Sequence, residues 1–383
     1  MSEYALRIAM FTPWRERCGI SDYSRHLVTA LEAREDIAGV QIIEAPSAQR
    51  AGLLHAVRAY ASEEAKYRVL GEQMNAEGVS VAHVQHQYFF FGGVAPHKNH
   101  ARSFLNAARV PLVMTVHEIA EPEASASLLT RRALALTNKA NFLHPAIHRL
   151  IVHTERDRAR LTAVGVSPER IDLIPVGVPP AEPMPSPETA KRELGLDGRR
   201  IVMLFGFLSA KKGHQLAIEA LGRLPDDVVL LFGGAQHPDD HSEYVPNLRA
   251  QLASEGLTDR VTITGYLPET QIPVLMAASD VAVAPFVQSS GSASLAHLFA
   301  YGRAIVASDI PPHREIVADE GECLALFRSG DAAELAVTLR EVLENAALRE
   351  RLQSAALRYA ERHSFAHMAA QTDRVYRQLA IAG

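Results

Sequence analysis

At 383 residues the chain is longer than one ordinary domain, and with 48% hydrophobic and 22% charged residues it can fill two ordinary cores. A formal net charge of −5 and a pI near 6.4 exclude a generic nucleic-acid binder, which would carry a basic footprint. The two cysteines, Cys18 and Cys323, suggest neither a disulfide framework nor a zinc cluster, so a reducing cytoplasm is the expected compartment. Neither a signal peptide nor an apolar run of membrane-spanning length is read in the sequence.

Residues 6–11 read as a buried strand that stops at Thr12-Pro13. A loop through Gly19 then opens a helix with Leu27, Val28 and Leu31 on its apolar face and Ser21 as its N-cap. Gly19 is thereby placed at the carboxyl end of a first parallel strand, where open α/β sheets bind ligands. Residues 40–44 read as the next strand and 47–75 as mostly helix. Residues 79–93 form an apolar strand that turns polar at its end and closes on Gly92-Gly93. His83 reads as a hydrogen-bonded core histidine, while His86 is either a core histidine or a site residue at the strand end. Tyr88 and the three phenylalanines after it are a loop anchor, the lining of an acceptor pocket or a membrane contact. Residues 110–116 are another parallel-type strand, and it delivers His117-Glu118 into a loop on the ligand-binding edge. His117 is the leading candidate of this half. A strand at 150–152, a helix at 155–164 capped by Thr154 and a strand at 171–176 complete it, and the arginines between 149 and 170 read as a solvated helix face.

Between residues 175 and 187 stand six prolines, at 175, 179, 180, 183, 185 and 187, which no helix or central strand sustains. This marks a domain boundary. Beyond it, strands at 201–205, 228–232, 261–264, 281–284 and 304–308 alternate with helices, with glycines at several strand ends. That alternation implies a parallel sheet covered on both faces. The expected fold is α/β with two tandem doubly wound, Rossmann-like domains, 1–180 and 181–365, the first joined by a C-terminal helix at 366–383. In the second, Phe205-Gly206-Phe207-Leu208-Ser209-Ala210-Lys211-Lys212-Gly213-His214 carries an apolar strand through a glycine and two lysines into a helix. Such a junction is an anion site: glycine permits close approach, free N–H groups and the helix dipole favour phosphate, and Lys212 adds a full charge. The plain alternative is a strand-to-helix turn with solvated lysines.

Taken together, the order and spacing of the strand-end motifs resemble the retaining glycosyltransferases of the GT-B fold, family four. The motifs are Gly19, His117, Ile174-Pro175-Val176-Gly177-Val178, Gly206 with Lys212-Gly213, Gly233-Gly234 and Asp259-Arg260-Val261 leading to Gly265. Ala278-Ser279-Asp280-Val281 and Ala300-Tyr301-Gly302-Arg303-Ala304-Ile305-Val306-Ala307-Ser308 complete the series. The resemblance implies transfer of a hexose from a nucleotide-diphosphate sugar to a carbohydrate or lipid-linked acceptor. It also implies that the second domain holds the donor, the first the acceptor, and that chemistry occurs in the cleft. By resemblance Lys212 stabilises the leaving diphosphate and His117 contacts the transferring sugar. Gly19, Gly206, Phe207, Gly233, Gly234, Ser289, Ser290, Gly291, Ser292 and His297 fall at the donor, with the nucleobase against Gly265-Tyr266-Leu267. His86, Tyr88 and Glu118 fall toward the acceptor. Neither a metal nor a further cofactor is expected, Asp239-Asp240 reading as a solvated turn, and peripheral contact with the inner face of a membrane would run through residues 88–91.

Three departures from the family pattern stand out. Phe207 replaces an arginine that would touch the diphosphate, and the two family glutamates fall on Ser289 and His297. The 289–292 stretch still offers hydroxyls and N–H groups to phosphate, and His297 a ring nitrogen to a ribose hydroxyl. The departures keep two alternatives in view: a non-catalytic relative that binds nucleotide sugar as a partner subunit, and an epimerase on the same scaffold, which would need carboxylates beyond Glu118.

Overall fold

The computed structural model describes residues 5–16, 18–46, 56–122, 125–236, 242–288 and 291–380. The chain divides into two compact units, Met1–Gly177 together with Phe365–Gly383, and Val178–Ser364.

The first unit holds six parallel strands, β1 (Leu6–Thr12), β2 (Ile37–Glu44), β3 (Val81–His86), β4 (Leu112–Val116), β5 (Ile147–Val152) and β6 (Ile171–Leu173), in the order β2-β1-β3-β4-β5-β6. Every residue of β3 and β4 is buried, as expected for central strands with helices on both faces. Alternate side chains feed opposite layers. Ala9, Phe11, Ala82 and Val84 pack with Phe104 and Phe142, whereas Ile8, Met10 and Val81 pack with Leu27, Leu31, Met368 and Tyr376. The last two belong to helix Phe365–Ala380, whose buried Asp373 accepts from Arg34 at 3.0 Å and from Arg377 at 3.0 Å. The strand order reverses between β1 and β3, which makes their carboxyl ends the switch point of this sheet.

The second unit repeats the scheme with β7 (Arg200–Phe205), β8 (Val228–Gly233), β9 (Val261–Ile263), β10 (Val281–Ala284), β11 (Ile305–Ser308) and β12 (Ala325–Phe327), ordered β12-β11-β10-β7-β8-β9. Its reversal lies between β7 and β10. The Asp280 carboxylate accepts from Lys191 Nζ at 2.8 Å and from the Ile201 amide at 2.7 Å, fastening helix Pro187–Glu193 to the entrance of β7.

Some local expectations change. Helix Gly19–Glu32 begins at Gly19 with Cys18 in the N-cap position, so Ser21 is not its cap; the Ser21 hydroxyl donates to the Trp14 carbonyl at 2.9 Å instead. Thr154 does cap its helix, accepting from the Asp157 amide at 3.1 Å. The arginines after residue 149 are not all solvated, because Arg149 pairs with Asp172 at 3.0 Å and Arg160 with Asp157 at 3.1 Å, both largely buried. Of the helix expected over 47–75, Ala56–Gln73 is observed and 47–55 lie outside the described residues.

Candidate functional site

In the second unit three strand ends meet with almost no side chain between them. Gly206, just past β7, has φ +113°, and a Cβ there would lie 2.2 Å from Ser294 Oγ. Gly213 has φ +73°, and its Cβ would lie 2.0 Å from the Pro285 carbonyl that follows β10. A Cβ on Gly234 would lie 2.1 Å from the Gly206 carbonyl. Glycine is required by both conformation and space at Gly206 and Gly213, and by space at Gly234. The Gly206 amide donates to Gly233 O at 3.0 Å, and the Gly234 amide to Thr264 Oγ1 at 3.0 Å, so the loops after β7 and β8 are tied together.

Lys212 reaches into this junction. Its ammonium donates to Ser292 Oγ and Ser294 Oγ, each at 3.2 Å, and stands 3.8 Å from the centroid of the Phe286 ring. Ser292 also caps helix Ala293–Ala300, accepting from the Leu295 amide at 3.2 Å. Among the described residues no carboxylate pairs with Lys212. Burial pushes its amine down to about 7, so small changes in local charge decide its protonation at neutral pH. Beside it, His313 is only 1% exposed. Its Nδ1 donates to Ser308 O at 2.7 Å, its Nε2 has no partner, and its ring is 5.6 Å from that of Phe286. Burial, with the Lys212 charge adding to it, lowers His313 to about 4. Phe286, Ser294 and His313 were not among the sequence candidates; the one local signal was the Pro-Pro-His that opens helix Pro311–Glu320, where prolines fit because the first turn needs no N–H partner.

The structure thus brings Gly206, Gly233, Gly234, Lys212 and Ser292 together, with Gly291 exposed just before the cap. Phe207 is half-buried on the loop after β7, and His297 is half-buried with its ring 5.5 Å from that of Phe205. Tyr266, 51% exposed, and the half-buried Leu267 follow β9 at the far edge of the sheet. Ser289 and Ser290, like Asp239-Asp240, lie outside the described residues.

In the first unit His117 follows β4, half-buried, with Nε2 at 2.8 Å from Gln85 Oε1 and its ring edge-on to Tyr23 at 4.9 Å. Burial first, then the neighbouring His153, His86 and His83, hold it well below the ordinary histidine value and therefore neutral. Gly19 begins its helix in open space: a Cβ there would meet no atom within 4 Å. Glu118 is half-buried and accepts from Gln87 Nε2 at 2.8 Å.

Two acceptor candidates require correction. His86 is fully buried among Tyr88, Phe91 and Phe142, with Nε2 3.0 Å from Asn141 Nδ2, and burial lowers it to about 3. Tyr88 is equally buried, its hydroxyl donating to Asn138 Oδ1 at 2.6 Å and accepting from the Ala120 amide at 3.1 Å. Their apolar neighbours draw both into the core, where an acceptor does not reach. Phe90 and Phe91 are buried too, and Phe89, 57% exposed, is the one aromatic ring of this segment at the surface.

Asp319, Glu320 and His363 also gather, with His363 Nε2 3.1 Å from Glu320 Oε1 and 3.3 Å from Asp319 Oδ2. Arg362 Nε already donates to Glu320 at 2.7 Å, so the group ties the end of helix Pro311–Glu320 to that of Ala346–Arg362.

The fold has solved counterparts. The structure of Anabaena HepE with UDP and glucose aligns with a TM-score of 0.74 at 18% identity, over 98% of this chain and 100% of that one. Sucrose-phosphate synthase from Thermosynechococcus elongatus aligns with a TM-score of 0.76 at 19% identity, over 99% and 100%. At such identities the likeness is one of fold. In sequence the chain is 31% identical over 205 residues to a 2-deoxystreptamine glucosyltransferase of Streptomyces kanamyceticus, 51% of each chain. It is 30% identical over 190 residues to a phosphatidyl-myo-inositol mannosyltransferase of Mycobacterium leprae, 49% of this chain and 48% of that one. The chain thus spans about half the length of these curated relatives. Residues 25–182 match the family model Glycosyltransferase Family 4, and residues 186–359 match Glycosyl transferases group 1. With each half matched by its own model on a shared two-domain fold, the chain belongs to the family 4, group 1 glycosyltransferases of GT-B architecture.

Proposed function

We propose that the protein moves a hexose from a nucleoside-diphosphate sugar to a carbohydrate or lipid-linked acceptor, with retention at the anomeric carbon and without a metal ion. Lys212 carries this reading: its ammonium meets two serine hydroxyls at 3.2 Å and an aromatic face, and a diphosphate would supply the counter-charge. As the glycosidic C–O bond breaks, the departing oxygen gains negative charge. A cation and donors already set by the fold stabilise that state more than the bound donor. The acceptor oxygen takes the bond to the anomeric carbon, and its proton leaves with the diphosphate. His117 contacts the transferring sugar, Glu118 the acceptor, and Tyr266-Leu267 the base. Retention by two displacements would need an enzyme carboxylate as nucleophile. The two family positions hold Ser289 and His297, so these residues favour attack from the face that the phosphate leaves. The glucosyl- and mannosyltransferase relatives support a hexose.

Incubation with UDP-, GDP-, ADP- and TDP-hexoses, with and without EDTA, tests this. Nucleoside diphosphate should be released from one class regardless of chelator, and NMR of the product should show the donor's anomeric configuration. An inverted product, or release that EDTA abolishes, would contradict the retention or metal-free part. A second reading, a nucleotide-sugar binder without catalysis, is favoured by the missing carboxylates at 289 and 297 and by Phe207. Donor binding without any release would select it.

Peripheral membrane contact, at the inner face in this reading, is better assigned to helix Leu128–Phe142 than to residues 88–91. That helix exposes Leu128 (75%), Leu129 (78%) and Leu136 (64%), carries Arg131, Arg132 and Lys139, and contains no acidic residue. Exposed leucines interleaved with cations suit an anionic lipid surface. Among the described residues no helix is long and apolar enough to cross a membrane. Sedimentation with phosphatidylglycerol vesicles but not phosphatidylcholine vesicles is expected, and its persistence after Leu128→Ser and Leu129→Ser together would reject this helix.

A further inference from the structure

Phe286 is the aromatic face beneath the Lys212 ammonium, and it is fastened from two sides. The strand order β11-β10-β7 and the pairing of Ala307 with Ala284 bring the end of β11 beside the exit of β10. There the Ser308 hydroxyl donates to the Phe286 carbonyl at 2.6 Å. From the β7 side, Lys211 O accepts from the Val287 amide at 2.9 Å. The segment that carries the ring is thereby tied to the loop that carries Lys212.

His313 completes this arrangement. It stands in the first turn of helix Pro311–Glu320, where Pro311 and Pro312 lack an N–H and Ile310 supplies no side-chain cap. Its Nδ1 lies 2.7 Å from the Ser308 carbonyl, which only accepts, so Nδ1 bears the proton and Nε2 the lone pair. That carbonyl accepts from the Ile310 amide as well, at 2.9 Å. One serine therefore receives His313 at its carbonyl and holds Phe286 by its hydroxyl. The imidazole also meets the Phe286 ring directly, 5.6 Å between centroids, while the ammonium stands 3.8 Å from the same centroid. Both rings are buried, and Nε2 has no hydrogen-bond partner.

We propose that His313 is a positioning residue: bonded to Ser308 and packed on Phe286, it seats that ring beneath Lys212 and holds the ammonium where it meets a diphosphate. The inference rests on the reading of Lys212 as the cation of the donor site. It adds the reason why an imidazole is used. The N–H fastens the segment, and a ring whose other nitrogen carries only a lone pair adds no charge beside the ammonium. The groups around Lys212 fit this role. Ser292 and Ser294 are uncharged, and burial holds His214 and His313 well below the ordinary histidine range. Asp309, which acts on His313 in the opposite sense, is itself paired with Arg314 at 2.8 Å.

The test reads the Lys212 amine without any nucleotide. In protein labelled with 13C-lysine, the Lys212 Cε signal, assigned by its loss in Lys212→Met, follows the titration. A midpoint near 7 is expected in the unaltered protein. His313→Leu is similar in size but lacks the N–H; it should loosen Phe286, let water reach the ammonium and raise the midpoint by about one unit. His313→Asn returns an N–H toward Ser308, and its midpoint should return toward that of the unaltered protein. Affinity for the nucleoside diphosphate should fall about tenfold in His313→Leu, the worth of one hydrogen bond, and recover in His313→Asn. An ordinary lysine midpoint in the unaltered protein overturns the proposal even if no variant folds. So does a His313→Leu protein that melts lower with the Lys212 midpoint unchanged, since the histidine would then be structural alone, and so does a His313→Asn protein with the midpoint of His313→Leu. If His313→Leu does not fold, Ser308→Ala removes the hydroxyl that holds Phe286 and should raise the midpoint likewise; no change there also overturns it. Midpoints that move as expected in a protein that binds no nucleotide would count against the diphosphate reading of Lys212 and leave the positioning role standing.

Discussion

The two units share a scaffold and differ in the chemistry placed on its strand ends. Toward the carboxyl ends in the first unit runs a hydrogen-bonded line of neutral side chains, His117, Gln85, His83 and Thr115, with Glu118 following His117. In the second stands a cation among hydroxyls and glycines, with loops packed so tightly that a methyl group does not fit at Gly206 or Gly213. The first kind of site suits the orientation of uncharged hydroxyls, and the second suits a phosphate. The shared α/β scaffold dictates where a ligand sits, whereas the residues at the strand ends dictate what it is.

The sharpest way to break this contrast is to remove its charge. Lys212→Ala should lower turnover by about a hundredfold to a thousandfold, as for loss of one preorganised stabiliser of developing charge, while circular dichroism stays unchanged. His117→Ala should also lower transfer, yet leave the Kd of the free nucleoside diphosphate as it was. If both variants weakened nucleoside diphosphate binding equally, the division of labour would be wrong.

A second effect separates tight from open glycines. Gly213→Ala meets a backbone carbonyl at 2.0 Å in a left-handed conformation and should cost about 2 kcal/mol or more in chemical denaturation. Gly19→Ala meets nothing within 4 Å and should stay within about 0.5 kcal/mol, while still hindering approach of a ligand to the helix N-terminus. Equal losses at the two sites would mean that the packing of the second unit is looser than described.

Acid distinguishes the units more gently. Burial lowers His83 and His86 to about 3 and His153 to about 4 in the first unit, and holds His117 well below its usual value; in the second it lowers His214 to about 3 and His313 to about 4. Between about 6.5 and these values the unfolded chain binds protons that the folded one does not, so stability falls as pH falls. The slope is up to about 1.4 kcal/mol per pH unit for each such histidine. Amide hydrogen exchange on acidification should therefore show the first unit opening before the second.

The sequence made Lys212 legible because strand, glycine, lysine and helix are consecutive there, and local order was enough to suggest an anion. Phe286, Ser294 and His313 were not legible as its neighbours, since they come from the segments after β10 and β11 and reach Lys212 only through the strand order β11-β10-β7. His86 was misplaced for a different reason. It shares a face with Ala82 and Val84, so the two-residue period of the strand directed it inward, but its polarity and position at the strand end suggested a site. Tyr88 shows that a polar tip is not a surface marker when Asn138 and the Ala120 amide are waiting for it in the core.

Titration calorimetry of UDP, GDP, ADP and TDP at pH 8, in two buffers of different ionisation enthalpy, tests the role of Lys212 most directly. Its amine, lowered to about 7, is mostly neutral at that pH, and a diphosphate beside it should raise its pKa. Binding of one nucleotide with uptake of up to about one proton, lost in Lys212→Ala, is the predicted result. Absence of binding by all four, or binding with no proton uptake, would contradict the assignment of Lys212 as the cation that meets the diphosphate.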